Sequence, residues 1–250
     1  MRNIYHMILL LAVSICSMAC GPASKNKALS LPIFKEKILT LTDDERYNIN
    51  IRYQAIANAE EAAALSSIDL QNYVRTFEEY AIIPMDIEKS MHNLAQWYIE
   101  GGVEYAEQDD PYNYQLEQSA FLVRNDSVLC YETHVESYTG GVHANYTLWY
   151  ECFDLATGLL YDFNYLLSDT WGKAIGELIY AHLMDIEGVS YFDDISAHTI
   201  HIPEAVLITD SGVLLAYQPY EIASYNDGII TVEITDAEIA ATGAPLVWVE

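Results

Sequence analysis

The stretch SYTGGVHANY, residues 137–146, combines a side chain capable of acid–base or metal chemistry with a backbone built to turn sharply. A histidine such as His143 can serve as a general base or as a metal ligand. Gly140 and Gly141 permit the positive φ of a tight reversal between strands. No Ser–Asp or Cys constellation beside His143 completes a catalytic set. We therefore interpret the segment first as a turn held by its histidine, second as a ligand-binding loop, and third as a catalytic loop.

A second segment with chemical potential is YQPYEIASY, residues 217–225, which places aromatic rings around a proline and an acid. Aromatic rings stack on sugar faces and anchor protein interfaces, and Glu221 can pair with a cationic group. The alternative is that Pro219 fixes a bend while the aromatic rings close the core with their hydroxyls reaching water. The aromatic candidates are Tyr217, Tyr220 and Tyr225.

Two further histidines, His198 and His201, have the spacing H-x-x-H and can lie on one side of a helical turn. Because no cysteine or third histidine is near them in the sequence, we expect neither a metal site nor a cofactor. A glycosidase pair needs two carboxylates ~5–9 Å apart, and 37 acidic residues offer candidates without discriminating among them. The acidic runs are best interpreted as solvated surface.

The charge balance restricts the class of partner. The chain has 37 acidic and 11 basic residues, which gives a formal net charge of -26. Such a surface repels a nucleic-acid backbone, so we expect no nucleic-acid partner. It attracts a cationic partner in a salt-sensitive way. The alternative is that the acidity only keeps the protein soluble.

The N-terminus, MRNIYHMILLLAVSICSMACG, has a basic residue followed by a short apolar run. The run is shorter than the ~20 residues of a spanning helix, so we expect an export signal at residues 1–19. Cys20 is similar to the lipidated cysteine of bacterial lipoproteins, with plain signal cleavage or a retained anchor as alternatives. Residues 20–30 would form a polar tether. These features predict an exported protein at the bacterial cell envelope, in the periplasm or on the cell surface, held to the membrane by a lipid anchor.

Two cysteines remain in the body of the chain once Cys16 is removed and Cys20 is lipidated. Cys130 and Cys152 lie in segments that flank the glycine-rich loop. They can form a disulfide in an oxidising compartment or stay as two buried free thiols. The outcome depends on whether their Cα atoms lie roughly 4.4–6.8 Å apart.

The elements that must position these residues follow from hydrophobic periodicity. Alternation predicts a strand over residues 47–55. Helical spacing predicts a helix through residues 70–81, capped by Ser66 or Ser67, and a second helix over residues 86–99 that ends at Gly101-Gly102. Further strands are predicted at 112–124, 128–137, 146–154, 205–209, 213–217 and 229–234, with a third helix at 169–184. This order predicts an α+β fold, with helices packed on antiparallel sheets and two subdomains, residues 31–106 and 107–250.

Four segments, in chain order, resemble the signature of the RsiV/PdaC-type extracytoplasmic domain family. They are YTGGVHAN (138–145), FDLATG (153–158), TDSGV (209–213) and YQPYEIASY (217–225). The resemblance covers residues 107–250, and residues 31–106 are similar to the strand-plus-helices domain that usually precedes it. Within this family, one member senses lysozyme, and another carries the domain beside a separate peptidoglycan deacetylase domain. The deacetylase motif is not matched, because residues 191–195 end in Ile195 where that motif has glycine.

The resemblance and the charge together predict a non-catalytic binding module. Its partner would be a cationic protein such as lysozyme, or a peptidoglycan-derived glycan. The alternative is an enzyme acting on cell-wall glycan, with His143 and an acid such as Glu221 in proton transfer. The candidate binding residues are Tyr138, Gly140, Gly141, His143, Asn145, Tyr217, Tyr220, Glu221 and Tyr225.

Overall fold

The computed structural model describes residues 30–43, 46–104, 111–163, 172–246 and 248. The strands are β1 (Phe34–Asp43), β2 (Tyr47–Ile56), β3 (Tyr112–Val123), β4 (Val128–Tyr138), β5 (Asn145–Asp154), β6 (Ala205–Ile208), β7 (Gly212–Tyr217) and β8 (Ile230–Thr235). The α-helices are α1 (Ala63–Phe77), α2 (Ile87–Glu104), α3 (Gly172–Met184) and α4 (Asp236–Ala241). The predicted α+β class is confirmed.

The described strands form two sheets, a five-stranded one in the order β1-β2-β3-β4-β5 and a three-stranded one in the order β6-β7-β8. Every pairing is antiparallel except that of β2 with β3, which is parallel. A parallel pair needs a long crossover, and α1 and α2 supply it. The predicted subdomain boundary at residues 106/107 therefore falls between two strands that pair in one sheet.

One face of the five-stranded sheet packs on α1 and α2. Alternate residues of the strands point to this face, as the two-residue period of a strand requires. Ile51 and Tyr53 of β2, Leu116 of β3 and Tyr131 of β4 are completely buried there. They pack with the apolar stripe of the two helices, which includes Phe77. This layer forms the core of the first half of the chain.

The opposite face of the sheet is covered at one end only. Near that end, Val128 and Cys130 of β4 pack against β6, β7 and α3, with Val206 and Ile179 in the same core. Further along, the same face carries polar residues, because the three-stranded sheet does not extend over it. The open part of this face is the groove described below.

Several predicted boundaries were wrong. Helix α1 begins at Ala63, and Ala62 at its N-cap has no side-chain hydrogen bond, so the proposed caps Ser66 and Ser67 lie inside the helix. Helix α2 continues through Gly101 to Glu104 instead of ending there, since Gly101 keeps a negative φ. Two elements had no predicted counterpart: β1 and the short helix α4, which a capping box of Thr235 and Glu238 begins.

Some predictions fall outside the described residues. The predicted export signal, the predicted lipidation at Cys20 and nearly all of the predicted tether belong to residues 1–29, and the start of the third predicted helix belongs to residues 164–171. Within the part of the chain that is described, no helix is both long and apolar enough to cross a membrane.

Candidate functional site

The loop between β4 and β5 turns through its two glycines. Gly140 and Gly141 have φ of 93° and 107°, in the region that favours glycine, as the turn chemistry predicted. The Tyr138 hydroxyl donates a hydrogen bond to the Gly141 carbonyl at 3.1 Å, which closes the loop on itself. Val142 is 100% exposed at the tip, and Asn145 is exposed where β5 begins.

His143 is held through both of its ring nitrogens. Nδ1 lies 2.8 Å from the carbonyl oxygen of Ala144, which can only accept, so Nδ1 carries the proton. Nε2 of the neutral ring then accepts from the hydroxyl of Tyr220 at 3.2 Å. These two contacts fix the tautomer and orient the imidazole towards the segment that follows β7.

Rings from the loop, from β5 and from the later segment form one stacked array. The ring of Tyr225 stacks with that of His143, at a centroid distance of 3.8 Å and 20° between planes, and with that of Tyr146, at 5.9 Å and 26°. The Tyr225 hydroxyl also donates to the Ala144 carbonyl at 2.7 Å. Desolvation, reinforced by Tyr146, raises the pKa of Tyr225 to about 12, so this hydroxyl stays neutral. We call His143, Tyr146, Tyr220 and Tyr225 the aromatic surface.

Tyr220 has an unusual backbone conformation. Its φ is 70°, and the Glu221 amide donates to the Gln218 carbonyl at 3.0 Å across it. With Pro219 at the second position, this is a type II turn whose third position normally holds glycine. A non-glycine residue in the left-handed region costs roughly 1–2 kcal/mol. The strain holds a tyrosine ring that is 59% exposed beside His143, a pattern that occurs at binding sites.

Gln218 fastens the same turn to the five-stranded sheet. Its side-chain amide donates to the Leu148 carbonyl at 2.7 Å, and its side-chain oxygen accepts from the Leu148 amide at 3.0 Å. The two bonds reproduce the pairing that another strand would make with β5. The aromatic surface is therefore assembled on a fixed frame.

Two of the predicted site residues lie away from this surface. Tyr217 is completely buried, and its hydroxyl donates to the His201 carbonyl at 2.8 Å. One carboxylate oxygen of Glu221 lies 2.6 Å from His201 Nε2, and the other accepts a hydrogen bond from the backbone amide of Gln218 at 2.7 Å. The hydrogen bond with Glu221 raises the pKa of His201. Glu221 thus pairs with His201 and not with His143.

The open face of the five-stranded sheet forms a groove of about 800 Å³. Strand β5 contributes Tyr146 to one wall, and Gly228 and Ile229 form the adjacent lip. Among the described residues, four carboxylates line the groove together with one guanidinium, that of Arg52, and one imidazole, that of His134. The carboxylates belong to Glu36, Glu117, Glu132 and Glu136.

The groove charges are only partly paired. Arg52 lies 3.7 Å from Glu36 and 3.9 Å from Glu117, and His134 lies 2.9 Å from Glu132. Glu136 is directly opposite Tyr146 in the β4–β5 register. The acidic lining of the groove therefore adjoins the aromatic surface at Tyr146.

Sequence reasoning missed the groove, although its signal was present. Charged or polar residues alternate with buried ones along β2 and β4, as in Arg52 and Gln54, or Glu132, His134 and Glu136. The alternation predicted the strands and their polar faces. Whether these polar faces lie side by side on one open face of the sheet depends on the strand order. Among the described residues, no three His, Cys, Asp or Glu side chains meet in a way that could hold a metal ion.

Cys130 and Cys152 are direct partners in the β4–β5 register, and both are buried. Their sulfur atoms lie 3.2 Å apart, and both side chains are free thiols in the structure. The structure therefore places Cys130 and Cys152 side by side, at the base of the hairpin that carries the glycine loop.

Comparison with known proteins supports the fold and a family relationship for part of the chain. A family described as a protein of unknown function (DUF3298) matches residues 168–237. No curated protein has a significantly similar sequence. A crystal structure of a DUF3298 family member from Bacteroides fragilis superposes with a TM-score of 0.65 at 16% identity, covering 84% of this chain and 93% of the other.

A second solved structure gives the same result. A DUF3298 family protein from Pseudomonas aeruginosa has a TM-score of 0.58 at 16% identity, with 84% of this chain and 93% of the other covered. Likeness at this identity concerns the fold. The chain thus carries a match to the DUF3298 family over residues 168–237, on a fold shared with two solved structures of that family.

Proposed function

We propose that this protein is a non-catalytic binding module of the bacterial cell envelope that captures a cationic protein. The observation that carries the proposal is the acidic groove, whose glutamates outnumber its cations and which ends at exposed aromatic rings. Tyrosine is a frequent anchor at protein interfaces because it combines a large apolar face with a polar end. The groove supplies the charge and the aromatic surface supplies the anchors.

The overall charge of the chain favours the same partner. A net charge of -26 accelerates encounter with a basic protein, and this acceleration decreases steeply with ionic strength. Charge by itself gives no orientation, whereas a groove of about 800 Å³ gives a defined place for a basic segment. The aromatic surface beside it fixes the register of that segment.

The resemblance to the RsiV/PdaC-type extracytoplasmic domain supports a lysozyme-like partner. Two of the four signature segments, residues 209–213 and 217–225, fall inside the matched region 168–237. The other two, residues 138–145 and 153–158, form the hairpin loop and the turn after β5. In this proposal the export signal and lipidation at Cys20 place the groove outside the cell. Intact mass of the protein purified from membranes tests the lipid, since plain cleavage leaves no added acyl chains.

A peptidoglycan-derived glycan is the second candidate ligand. The stacked rings of Tyr146 and Tyr225 favour it, because sugar rings stack on aromatic faces. The enzyme alternative has less support. Both ring nitrogens of His143 are engaged, and the nearest partners of Glu221 are His201 and the Gln218 amide.

Calorimetry with hen-type lysozyme tests the proposal. At about 20 mM salt we expect saturable binding that weakens by more than tenfold at about 300 mM salt. The variant Glu117→Gln/Glu136→Gln should bind about tenfold more weakly, since each removed charge contributes about 1 kcal/mol or less. The control Glu187→Gln/Glu233→Gln removes the same charge outside the groove and should bind as the wild type does.

Two results would overturn the proposal. One is the absence of binding at low salt. The other is an equal loss of affinity in the groove and control variants, which would reduce the effect to general charge. Titration with soluble peptidoglycan fragments distinguishes the second candidate, because binding of fragments without binding of lysozyme assigns the site to glycan. Release of smaller glycan products, abolished by His143→Ala, would establish the enzyme alternative.

A further inference from the structure

The buried cysteine pair is placed for chemistry that the proposed function does not use. Cys130 and Cys152 face each other across β4 and β5, with their sulfur atoms 3.2 Å apart. Directly opposed residues of antiparallel strands have Cα atoms about 4.5–5.5 Å apart, which lies within the range of disulfides. The two sulfur atoms can therefore bond with little movement of the backbone.

The same two sulfur atoms connect the two sheets. The amide of Ile208 in β6 donates to Cys152 Sγ at 3.3 Å, and the Cys130 thiol contacts the Ile208 carbonyl at 3.7 Å. Strand β6 therefore pairs with β7 through its backbone on one side and meets the thiol pair on the other. A change in the oxidation state of the pair would therefore act directly on the junction between the sheets.

A bond within the pair would also close the hairpin that carries the glycine loop. Residues 130–152 comprise most of β4 and β5, with residues 139–144 at the tip. The pair lies at the base of this hairpin, in the core formed with Val128 and Val206. A covalent bond at the base would restrict separation of the two strands that support the aromatic surface.

We propose that Cys130 and Cys152 form a redox-active dithiol that closes to a cross-strand disulfide with a glutathione-type disulfide as oxidant. One thiolate attacks a sulfur of the oxidant, which releases one glutathione thiol and leaves a mixed disulfide. The second cysteine sulfur then displaces the other glutathione thiol. In the protein, two S–H bonds are replaced by one S–S bond. The two electrons and two protons that the protein loses end on the two glutathione thiols.

The environment of the pair sets the rate of this reaction. Both cysteines are completely buried, and burial, followed by the adjacent Cys152, raises the pKa of the Cys130 thiol. Because the thiolate is the reactive form, closure is slow in the folded protein and accelerates as pH rises. A low urea concentration that opens the hairpin accelerates it as well.

Peptide mapping tests the proposal on the wild-type full chain. The protein is equilibrated with a series of reduced and oxidised glutathione ratios, unfolded, alkylated with N-ethylmaleimide and digested with trypsin. No Lys or Arg lies between Arg124 and Lys173, so both cysteines stay in one peptide, residues 125–173. We expect this peptide to change from two labels to none as the ratio becomes oxidising, with a mass about 2 Da below the unlabelled dithiol.

Thermal unfolding gives a second measurement on the same samples. Closing this hairpin removes entropy from the unfolded chain, so the oxidised form should melt on the order of 5–10 °C higher than the reduced form. The control Cys130→Val/Cys152→Val should show no difference between the two buffers. If this variant does not fold, the wild-type comparison still decides the question.

Two outcomes would overturn the proposal. One is a peptide that takes two labels at every glutathione ratio. The other is accumulation of the mixed disulfide with glutathione, which would mean that the second sulfur cannot reach the first. Equal melting temperatures of the reduced and the oxidised forms would remove the structural effect on the sheet junction.

Discussion

The imidazole of His143 and the ring of Tyr225 stack with their centroids 3.8 Å apart and 20° between their planes. The first residue belongs to the loop between β4 and β5, and the second lies beyond β7. Their contact joins two parts of the chain that carry separate sequence signatures. A change in either ring should therefore alter both the local fold and the proposed binding surface.

The hydroxyl and the ring of Tyr225 make separable contributions. Tyr225→Phe removes the hydrogen bond to the Ala144 carbonyl and should lower the free energy of unfolding by about 1 kcal/mol. Tyr225→Ala also removes the stack on His143 and should cost roughly 1 kcal/mol more. Urea denaturation measures both values. Equal stability of the two variants would contradict a contribution from stacking.

The backbone strain at Tyr220 can be measured with two substitutions that both remove the ring. Tyr220→Gly and Tyr220→Ala lose the same contact with His143, but only glycine adopts the φ of 70° without strain. We expect the glycine variant to be more stable than the alanine variant by about 1 kcal/mol. Both should bind lysozyme more weakly than the wild type. An alanine variant as stable as the glycine variant would show that the turn relaxes.

The link between Gln218 and Leu148 should control the docking of the turn on β5. Gln218→Ala leaves the amide and the carbonyl of the buried Leu148 without their partner, which should cost about 2–3 kcal/mol. Hydrogen exchange identifies the mechanism, because the Leu148 amide should lose protection in the variant. Unchanged protection of that amide would show that water or another group replaces the glutamine.

The carboxylate of Glu151 predicts a specific pH dependence of stability. Glu151 is almost completely buried on β5. One of its oxygens accepts a hydrogen bond from Arg75 of α1, and the other has no hydrogen-bond partner among the described residues. Desolvation raises the pKa of Glu151 to about 7 from an ordinary 4.5, although Arg75 acts in the opposite direction. Tyr53 and Tyr131 are titratable groups that interact electrostatically with Glu151, and Asp69 acts on the same two tyrosines.

The sign of the effect follows from proton binding. Between about pH 4.5 and pH 7 the folded state keeps a proton on Glu151 that the unfolded state has released, so the free energy of unfolding falls as pH rises. Relative to Glu151→Gln, the wild type should lose about 3 kcal/mol across this window. Chemical denaturation of both proteins at several pH values measures the difference. A constant difference would mean that Glu151 is ionised throughout.

Local chemistry in the sequence predicted the elements and some of their details. The predicted strands correspond to β2 to β8 and differ from them by at most one residue at each end. Two-residue alternation marks a strand with one buried face, such as β8, whereas β6 is a short apolar run that is buried throughout. Adjacent glycines predicted the positive φ of Gly140 and Gly141. The end of α2 was predicted wrongly, since tertiary contacts of a helix can outweigh the cost of a glycine such as Gly101.

The sequence by itself determined the acidic charge, the strand and helix periods, and the turn at the glycine loop, because these depend on residue type and on neighbours along the chain. The tertiary structure decided that Tyr225 stacks on His143, that Glu221 pairs with His201, and that Cys130 lies opposite Cys152. It also decided that one face of the five-stranded sheet stays open as an acidic groove. These relationships depend on strand order and on how far the second sheet extends, and long-range packing sets both.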